Sequence, residues 1–550
     1  MKKHFAFLLF TSFTLLSCHK KDKGGPSGSG NRFIENDQHV SIVTQHNDNN
    51  RTGWNNNEKL LTTANVNPQH FGKLFSLTVD DQVFAQPLVV GGLKMDTAAH
   101  NVVFIATVNN SIYAFDGDNG DLFWHKNFTA GGMRPPRNTD MADCGGPYED
   151  FSGNIGIVGT PVIDSTKGIM YFVARNTNGS VYSQFLHAIN IMTGSEMAGS
   201  PVQITASCTG HGDGSSNGVI LFNAKTQNQR QALTLVNGRI YITWSSHCDL
   251  PPYHGWVLGY NASTLTQEIV YNDTPEGGYG GMWETGMGPS TDNAGNLYIA
   301  IGNGTVGVNN DPTNVTNIAE GVVKLTPSGS GMTVSSYFIP HNYSNLNDSD
   351  QDVGSIGSLF IPNTNYFVSG CKTGDLYLLD KDNMGGYNST SNNVHQVVSL
   401  NSILANEHCQ LAYYQGTSAE YVYVWSENDH LKALPFNRGA GLFNVNNIVA
   451  SPVAGPTGQT GAMLSVSSNG STAGTGIVWA TFPFNCDAEH NVCPGVLYAF
   501  DAADITHTLW STSLATDAWN FAKCSSPAIA NGHVYIATFS GFVNVYGITN

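Results

Sequence analysis

Two short stretches of this chain set a histidine two residues ahead of an aspartate: His211 and Asp213 in GHGDGSSNG, and His247 and Asp249 in SSHCDLPPYHGW, with His254 close behind. Imidazoles and carboxylates converging on one surface are suited to proton transfer, as in a carbohydrate-cleaving lyase or hydrolase with His247 and His254 as its catalytic groups. They are equally suited to holding a polar ligand such as a saccharide, with Tyr253 and Trp256 as stacking faces. The plainer alternative is that these are loop residues that cap turns and satisfy one another. Cys208 and Cys248 flank the two halves, so a disulfide between them would bring the halves together. GDGSSNG is glycine-rich but lacks the lysine and following helix of a phosphate cradle, which excludes nucleotide binding there.

Such residues need a scaffold, and the sequence repeats one. IYAFDGDNGDLFW (Ile112 to Trp124) returns in looser form as LYAFDAADITHTLW (Leu497 to Trp510). Each reads as two antiparallel strands joined by a turn, with Asp116 and Asp501 able to bond the turn backbone. Around these hairpins a longer unit recurs. A strand follows a proline (Pro87, Pro161, Pro289, Pro527), then come an apolar strand such as GIMYFVAR or GHVYIATF and a third strand such as LHAIN or VNVYG. Proline cannot donate to a ladder and belongs on an edge, which in a ring of blades is the strand facing the central channel. Eight third strands are countable, or seven if one of the counted units is a long insertion. The last unit ends at VNVYGITN without a fourth strand, whereas GKLFSLTVDD at Gly72 to Asp81 precedes the first unit and has that character. The expectation is an all-β, eight-bladed β-propeller of four-stranded antiparallel blades, its ring closed by an N-terminal strand, with Trp124 and Trp510 between neighbouring blades.

Composition narrows the partners. The 550 residues carry 41 acidic against 24 Lys and Arg side chains, a net charge of −17, with no clustered cations for phosphate neutralisation, so nucleic acid is excluded. Lys2 and Lys3 precede an apolar run from Phe5 to Leu16 that is too short to span a bilayer, and LLSC follows. This resembles the lipobox of bacterial lipoproteins and implies lipidation at Cys18. The organisation expected is a signal peptide over residues 1–18, a flexible tether over 19–35 and one propeller over 36–550. The protein is then a monomer anchored by lipid to a membrane of the bacterial envelope, on the periplasmic or surface face. Export puts the other eight cysteines in an oxidising compartment, permitting up to four disulfides among 105 connectivities. Cys486 with Cys493 is the best local pair.

AFDGDNGDLFW resembles the tryptophan-docking motif of pyrroloquinoline-quinone (PQQ) type propellers, and Ala188, Thr193 and Gly194 in LHAINIMTGSEM match it partly. HNDNNRTGWNNNE, FGKLFSLTVDDQVFAQPL, NQRQALTLVNGRIYI and HCDLPPYHGWVLGY resemble a subgroup of secreted bacterial PQQ-like proteins of largely unassigned activity. The likeness covers about residues 40 to 550. In the quinoprotein alcohol dehydrogenases a Trp lies under the flat cofactor, an Asn after it in a GN pair binds calcium, a basic residue before a YxLD strand contacts the quinone, and an Asp ahead of that blade is the base. The resemblance maps these roles onto Trp283, Asn303, Lys372 in CKTGDLYLLD, and Asp350 or Asp352 in DSDQDVGS. Trp283 also suits inter-blade packing, and Asn303 the cap of a turn. Three features depart from the family: no adjacent cysteines, Cys144 being a lone candidate; no calcium-binding Glu in the second blade; and no CxxCH haem attachment. Calcium, which takes six to eight oxygens, would lose an anionic ligand.

Three functions follow as expectations. The leading one is a lipid-anchored propeller that binds a ligand or serves as a scaffold. The others are a PQQ- and calcium-dependent dehydrogenase of alcohols or sugars, and a carbohydrate-cleaving enzyme.

Overall fold

The computed structural model describes residues 39–141, 149–400 and 408–549. The lipobox Cys18, the tether and Cys144 lie outside them. No helix among the described residues is long and apolar enough to cross a membrane.

Eight antiparallel blades succeed one another along the chain, as the repeats require. The first consists of Leu88–Met95, Ala98–Ala106, Ser111–Asp116 and Leu122–Asn127, in that spatial order. Ser111–Asp116 is buried at every position and Leu297–Ile301 likewise, whereas Leu122–Asn127 is mostly exposed. Inner strands are covered on both faces by the neighbouring blades, so they read as unbroken apolar runs, and only outer strands reach water. The innermost strands of blades 2 to 8 begin at Val162, Thr234, Ser290, Ile356, Ala412, Met463 and Ala528. Pro87, Pro161, Pro289 and Pro527 each stand one residue ahead of an innermost strand, where the missing N–H takes no bond from a ladder.

The ring closes as expected. Phe71–Thr78 pairs antiparallel with Phe542–Ile548 and completes the eighth blade. Trp124 donates Nε1–H to the Ile191 carbonyl of the next blade (3.0 Å). Trp510 packs edge-on against Phe71 and Tyr546, with centroids 5.0 and 5.5 Å away, at the junction of blades 7 and 8.

The segment that enters ahead of the first blade has a role of its own. Ile42 bridges to Val89 of blade 1, and the Val43 carbonyl accepts from Ile163 N of blade 2 (2.9 Å). Asn49 bonds Leu235 O of blade 3 and its carbonyl accepts from Thr291 N of blade 4; Asn50 and Thr52 carbonyls accept from Phe360 and Tyr413 of blades 5 and 6. Gly53 O accepts from Val466 N of blade 7 (2.7 Å), and Asn55 Nδ2 donates to Ile529 O of blade 8 (2.7 Å). The stretch from Ile42 to Asn55 thus touches all eight innermost strands in chain order. Its run of Asn, Asp and Thr follows from this, because the exposed edges of eight sheets present unpaired donors and acceptors that only a polar segment can satisfy.

Among the described cysteines, Cys486 and Cys493 are joined, with Cα atoms 5.7 Å apart. Cys208, Cys371, Cys409 and Cys524 are not disulfide-bonded, so four disulfides do not form. The Cys208–Cys248 pairing is also corrected. Cys208 lies in a protruding hairpin, Ser207–Thr209 with Val219–Leu221, while Cys248 is disulfide-bonded and lines the channel mouth.

Candidate functional site at the channel mouth

Arg230, Asp352, His408 and Gln459 each stand four positions before the first residue of an innermost strand (Thr234, Ile356, Ala412 and Met463). Because those strands point the same way along the axis, the residues preceding them meet at one end of the channel. They line a cavity of ≈ 210 Å³ together with Trp283, Asn303, Asp350 and Lys372. The segment Ile42–Asn55 crosses the strands further along, so the cavity has a closed floor. In that floor Gln410 Nε2 donates to the Thr285 and Cys524 carbonyls (2.7 and 3.1 Å).

Trp283 is half-buried on the cavity wall, with the Arg230 guanidinium 5.7 Å from its ring centroid and Tyr253 edge-on at 6.5 Å. Gly302 of the GN pair is needed for this packing. A Cβ there would lie 2.8 Å from Trp283 Cδ1 and 2.6 Å from Asp352 Oδ2. Asn303 donates Nδ2–H to Asp350 Oδ1 (2.7 Å), while its Oδ1 is buried without a hydrogen-bond partner. Lys372 Nζ sits between two carboxylates, 2.6 Å from Asp352 Oδ1 and 3.1 Å from Asp350 Oδ2. The side chains of Asp352 and Lys372 are 4% and 12% exposed, that of Asp350 73%, so one end of the cluster is buried and the other faces the mouth. Burial pushes the Lys372 ammonium down, but the Asp352 and Asp350 charges outweigh it and hold its pKa above the ordinary lysine value.

The opposite walls carry Lys523, paired with Asp150, and His408, whose Nδ1 lies 2.9 Å from Glu427 Oε1. Burial, and then the Lys372 charge, lowers His408 to about 3, and burial pushes the Glu427 carboxyl up to about 8. Cys248 and Asp249, consecutive residues with φ of 42° and 53°, turn the chain into the rim. Asp249 Oδ1 accepts from the Tyr253 hydroxyl (2.6 Å), and burial raises its pKa to about 6.

The remaining residues with site-like spacing do not meet here. His211 is exposed and pairs with Glu276 at 3.2 Å. His254 lies between Thr274 Oγ1 and the Asp213 carbonyl, both at 2.9 Å, so its two ring nitrogens are engaged. His247 is fully buried, stacked 6.3 Å from Phe151, and Trp256 is a core residue of its strand. Tyr253 is buried with its hydroxyl on Asp249. Arg230, His408 and Lys523 have no local motif. What marks them in the sequence is their place just ahead of an innermost strand.

These buried groups set a pH dependence. Glu284 and Glu427 are both pushed up to about 8 by burial, from an ordinary 4.5. The folded state therefore keeps protons that the unfolded chain releases, and stability falls as pH rises from 4.5 through 8. His46, lowered to about 4, and His247 and His408, lowered to about 3, act oppositely, so stability falls as pH drops below 6.5. Urea unfolding midpoints are expected to fall as pH rises above about 6.5, where the histidines no longer offset the carboxyls. On the alkaline side each glutamate contributes up to about 1.4 kcal/mol per pH unit; buried Glu320 and Asp273, also raised, act in the same direction, so Glu284→Gln should make the slope shallower by one share.

No family model and no curated protein matches the chain. Solved structures do. It is similar to the quinohemoprotein alcohol dehydrogenase of Comamonas testosteroni (TM-score 0.58, 14% identity, 92% of this chain and 80% of that one). It is also similar to a quinohemoprotein alcohol dehydrogenase of Pseudomonas putida HK5 (0.56, 13%, 94% and 82%) and to a europium-containing methanol dehydrogenase (0.57, 11%, 92% and 98%). At these identities the likeness is one of fold. With eight blades, a ring closed by the N-terminal strand and tryptophans docked between blades, the chain has an eight-bladed β-propeller fold.

Proposed function

We propose that this chain is a ligand-binding propeller whose ligand is a planar, anionic quinone of the PQQ type, and that with the quinone bound it oxidises alcohols or sugars. One observation carries the reading. Trp283, Asn303, Asp350 and Lys372, matched to the quinoprotein dehydrogenases one by one along the sequence, line a single cavity at the end of the channel.

The residues present fit the group. Trp283 offers a flat face, and Arg230, Lys372 and Lys523 offer three cations to quinone carboxylates. The disulfide-bonded Cys248 lies in the lining although the chain has no adjacent cysteines. The orphaned Asn303 Oδ1 is a vacant oxygen ligand, and Asp350 and Asp352 add carboxylates. The lining holds five acids (Asp150, Asp249, Asp350, Asp352, Glu489) against those three cations, an excess that favours a bound metal ion such as calcium. No three His, Cys, Asp or Glu side chains among the described residues form a metal site by themselves, so metal and quinone are expected to bind together. The chemistry supplied by the pair is two-electron acceptance by a carbonyl that the metal polarises. Trp283 and Arg230 would orient the ring.

The carbohydrate-cleaving alternative has less support, since His247 is buried and both nitrogens of His254 are engaged. We further propose, on the LLSC sequence, that the protein works as a monomer tethered through Cys18 to a bacterial envelope membrane.

The test is to titrate the purified protein with PQQ, with and without calcium or a lanthanide, following absorbance and melting temperature. Saturable binding and a raised melting temperature are expected. Trp283→Ala should weaken binding at least 30-fold, about 2 kcal/mol for a buried aromatic anchor. No binding at high micromolar quinone would overturn the proposal and leave a scaffold propeller.

A further inference from the structure

The sixth blade places in the cavity a histidine that the quinone reading does not use. His408 is the one histidine among the lining residues. It opens the segment leading into the innermost strand Ala412–Gln415, and Glu427 follows the next strand, Glu420–Val424, so two adjoining elements of one blade hold the pair at 2.9 Å. Glu427 is almost wholly buried and His408 partly so. With Nδ1 held by the carboxyl, Nε2 is the ring nitrogen left for a molecule in the cavity. A base oriented by a buried carboxylate at the edge of a cleft is the geometry of a general base. Asp350, by contrast, is tied to Asn303 and Lys372 and lies in the open.

We propose that the His408–Glu427 pair is the proton acceptor of this cavity, serving the hydroxyl of an alcohol or sugar. The inference rests on the quinone reading, because the carbinol C–H bond must also break as the C=O bond forms, and its hydrogen with two electrons needs a quinone as oxidant to receive them. The substrate O–H bond breaks and an Nε2–H bond forms; the Nδ1–H bond breaks and its proton passes to the Glu427 carboxylate, leaving the imidazole neutral. Charged groups face the pair from three other blades: Lys372 and Asp352 from the fifth, Glu489 from the seventh and Lys523 from the eighth, with Asp487 acting on Glu427. Burial supports the assignment. It keeps the imidazole neutral and sets the carboxyl near 8, so the accepting, ionised form of Glu427 fills in as pH rises towards that value.

The experiment separates the two readings. Quinone affinity is measured first. Then the quinone-loaded protein is mixed with ethanol, glycerol or glucose, and reduction of the bound quinone is followed by absorbance in a single turnover from pH 6 to 9. His408→Gln and His408→Asn should keep the quinone Kd within threefold and slow reduction at least 100-fold. Glu427→Gln should slow it about 10-fold and remove the rise in rate towards pH 8. The proposal is overturned if both His408 variants reduce the quinone at the wild-type rate, if Glu427→Gln keeps the rise, or if loaded wild type oxidises none of the three probes. Failure to bind quinone appears in the first measurement and defeats the quinone reading itself, and this inference with it.

Discussion

Arg51→Met is expected to lower the stability of the protein by about 3–5 kcal/mol, measured as a shift in urea midpoint at unchanged slope. Arg51 is fully buried in the segment that crosses the hub. Its Nη1 donates to Thr44 Oγ1 and the Gln45 carbonyl (both 2.8 Å), its Nη2 to Thr234 Oγ1 (2.6 Å), and its Nε towards the Gly288 and Pro289 carbonyls (3.2 and 3.3 Å). One side chain thereby joins its own segment to blades 3 and 4. Methionine fills much of the same volume, so the loss reports on carbonyls left without donors in a place water does not reach. Arg51→Lys should recover little, since an ammonium cannot present the planar fork that reaches three directions at once. Burial lowers the Arg51 pKa to about 10, with Asp48 and Glu284 pulling it back up, so the guanidinium stays charged at neutral pH and the result should not vary between pH 6 and 8 in the arginine's own protonation.

Lys372→Ala is expected to have an effect of similar size, about 3–5 kcal/mol, for a different reason: it strands a carboxylate. Asp352 sits almost wholly buried, with Lys372 Nζ 2.6 Å away. Buried Glu320, whose own pKa is raised well above the ordinary value by burial and by the Asp352 charge, packs behind it and offers no compensation. The double variant Lys372→Ala, Asp352→Asn should regain at least half of the loss, and a double-mutant cycle would read the coupling directly. Full stability in the single variant would show that solvent screens Asp352 and that the lysine serves the cavity alone. Quinone affinity should fall in both variants, so stability and binding separate the structural part of Lys372 from its part as a ligand.

The fold was legible because its signals are local. Pro87, Pro161, Pro289 and Pro527 mark channel-facing edges, and Trp124 and Trp510 mark the outer docking positions; neither depends on distant residues. The candidate cavity was legible where the family resemblance named a residue, and at Asp249. Arg230, His408 and Lys523 carry no pattern with their chain neighbours, because ring closure, a property of the whole chain, gathers them from the third, sixth and eighth blades. The histidine-rich stretches lie elsewhere. His254 does meet the first stretch, at the Asp213 carbonyl, yet His211 is exposed beside the hairpin and His247 is buried at a strand end, so the three rings do not share the channel mouth. Asp249, read as part of that group, belongs instead to the channel mouth, where two left-handed residues turn it inward. HNDNNRTGWNNNE was visible as a family likeness, but its task could not be read without the eight edges it satisfies.

The segment from Ile42 to Asn55 also fixes how molecules come and go. A propeller with an open axis is a tube, and a ligand could enter at one end and leave at the other. Here the chain's own backbone seals the far end against every blade in turn, so the axis is a cup with a single rim. Whatever enters must depart by the same opening, and a second reactant must wait for the first to vacate it or reach past it. Traffic through that rim, lined by Asp249 and Asp350, would then limit how fast the cup is emptied and refilled.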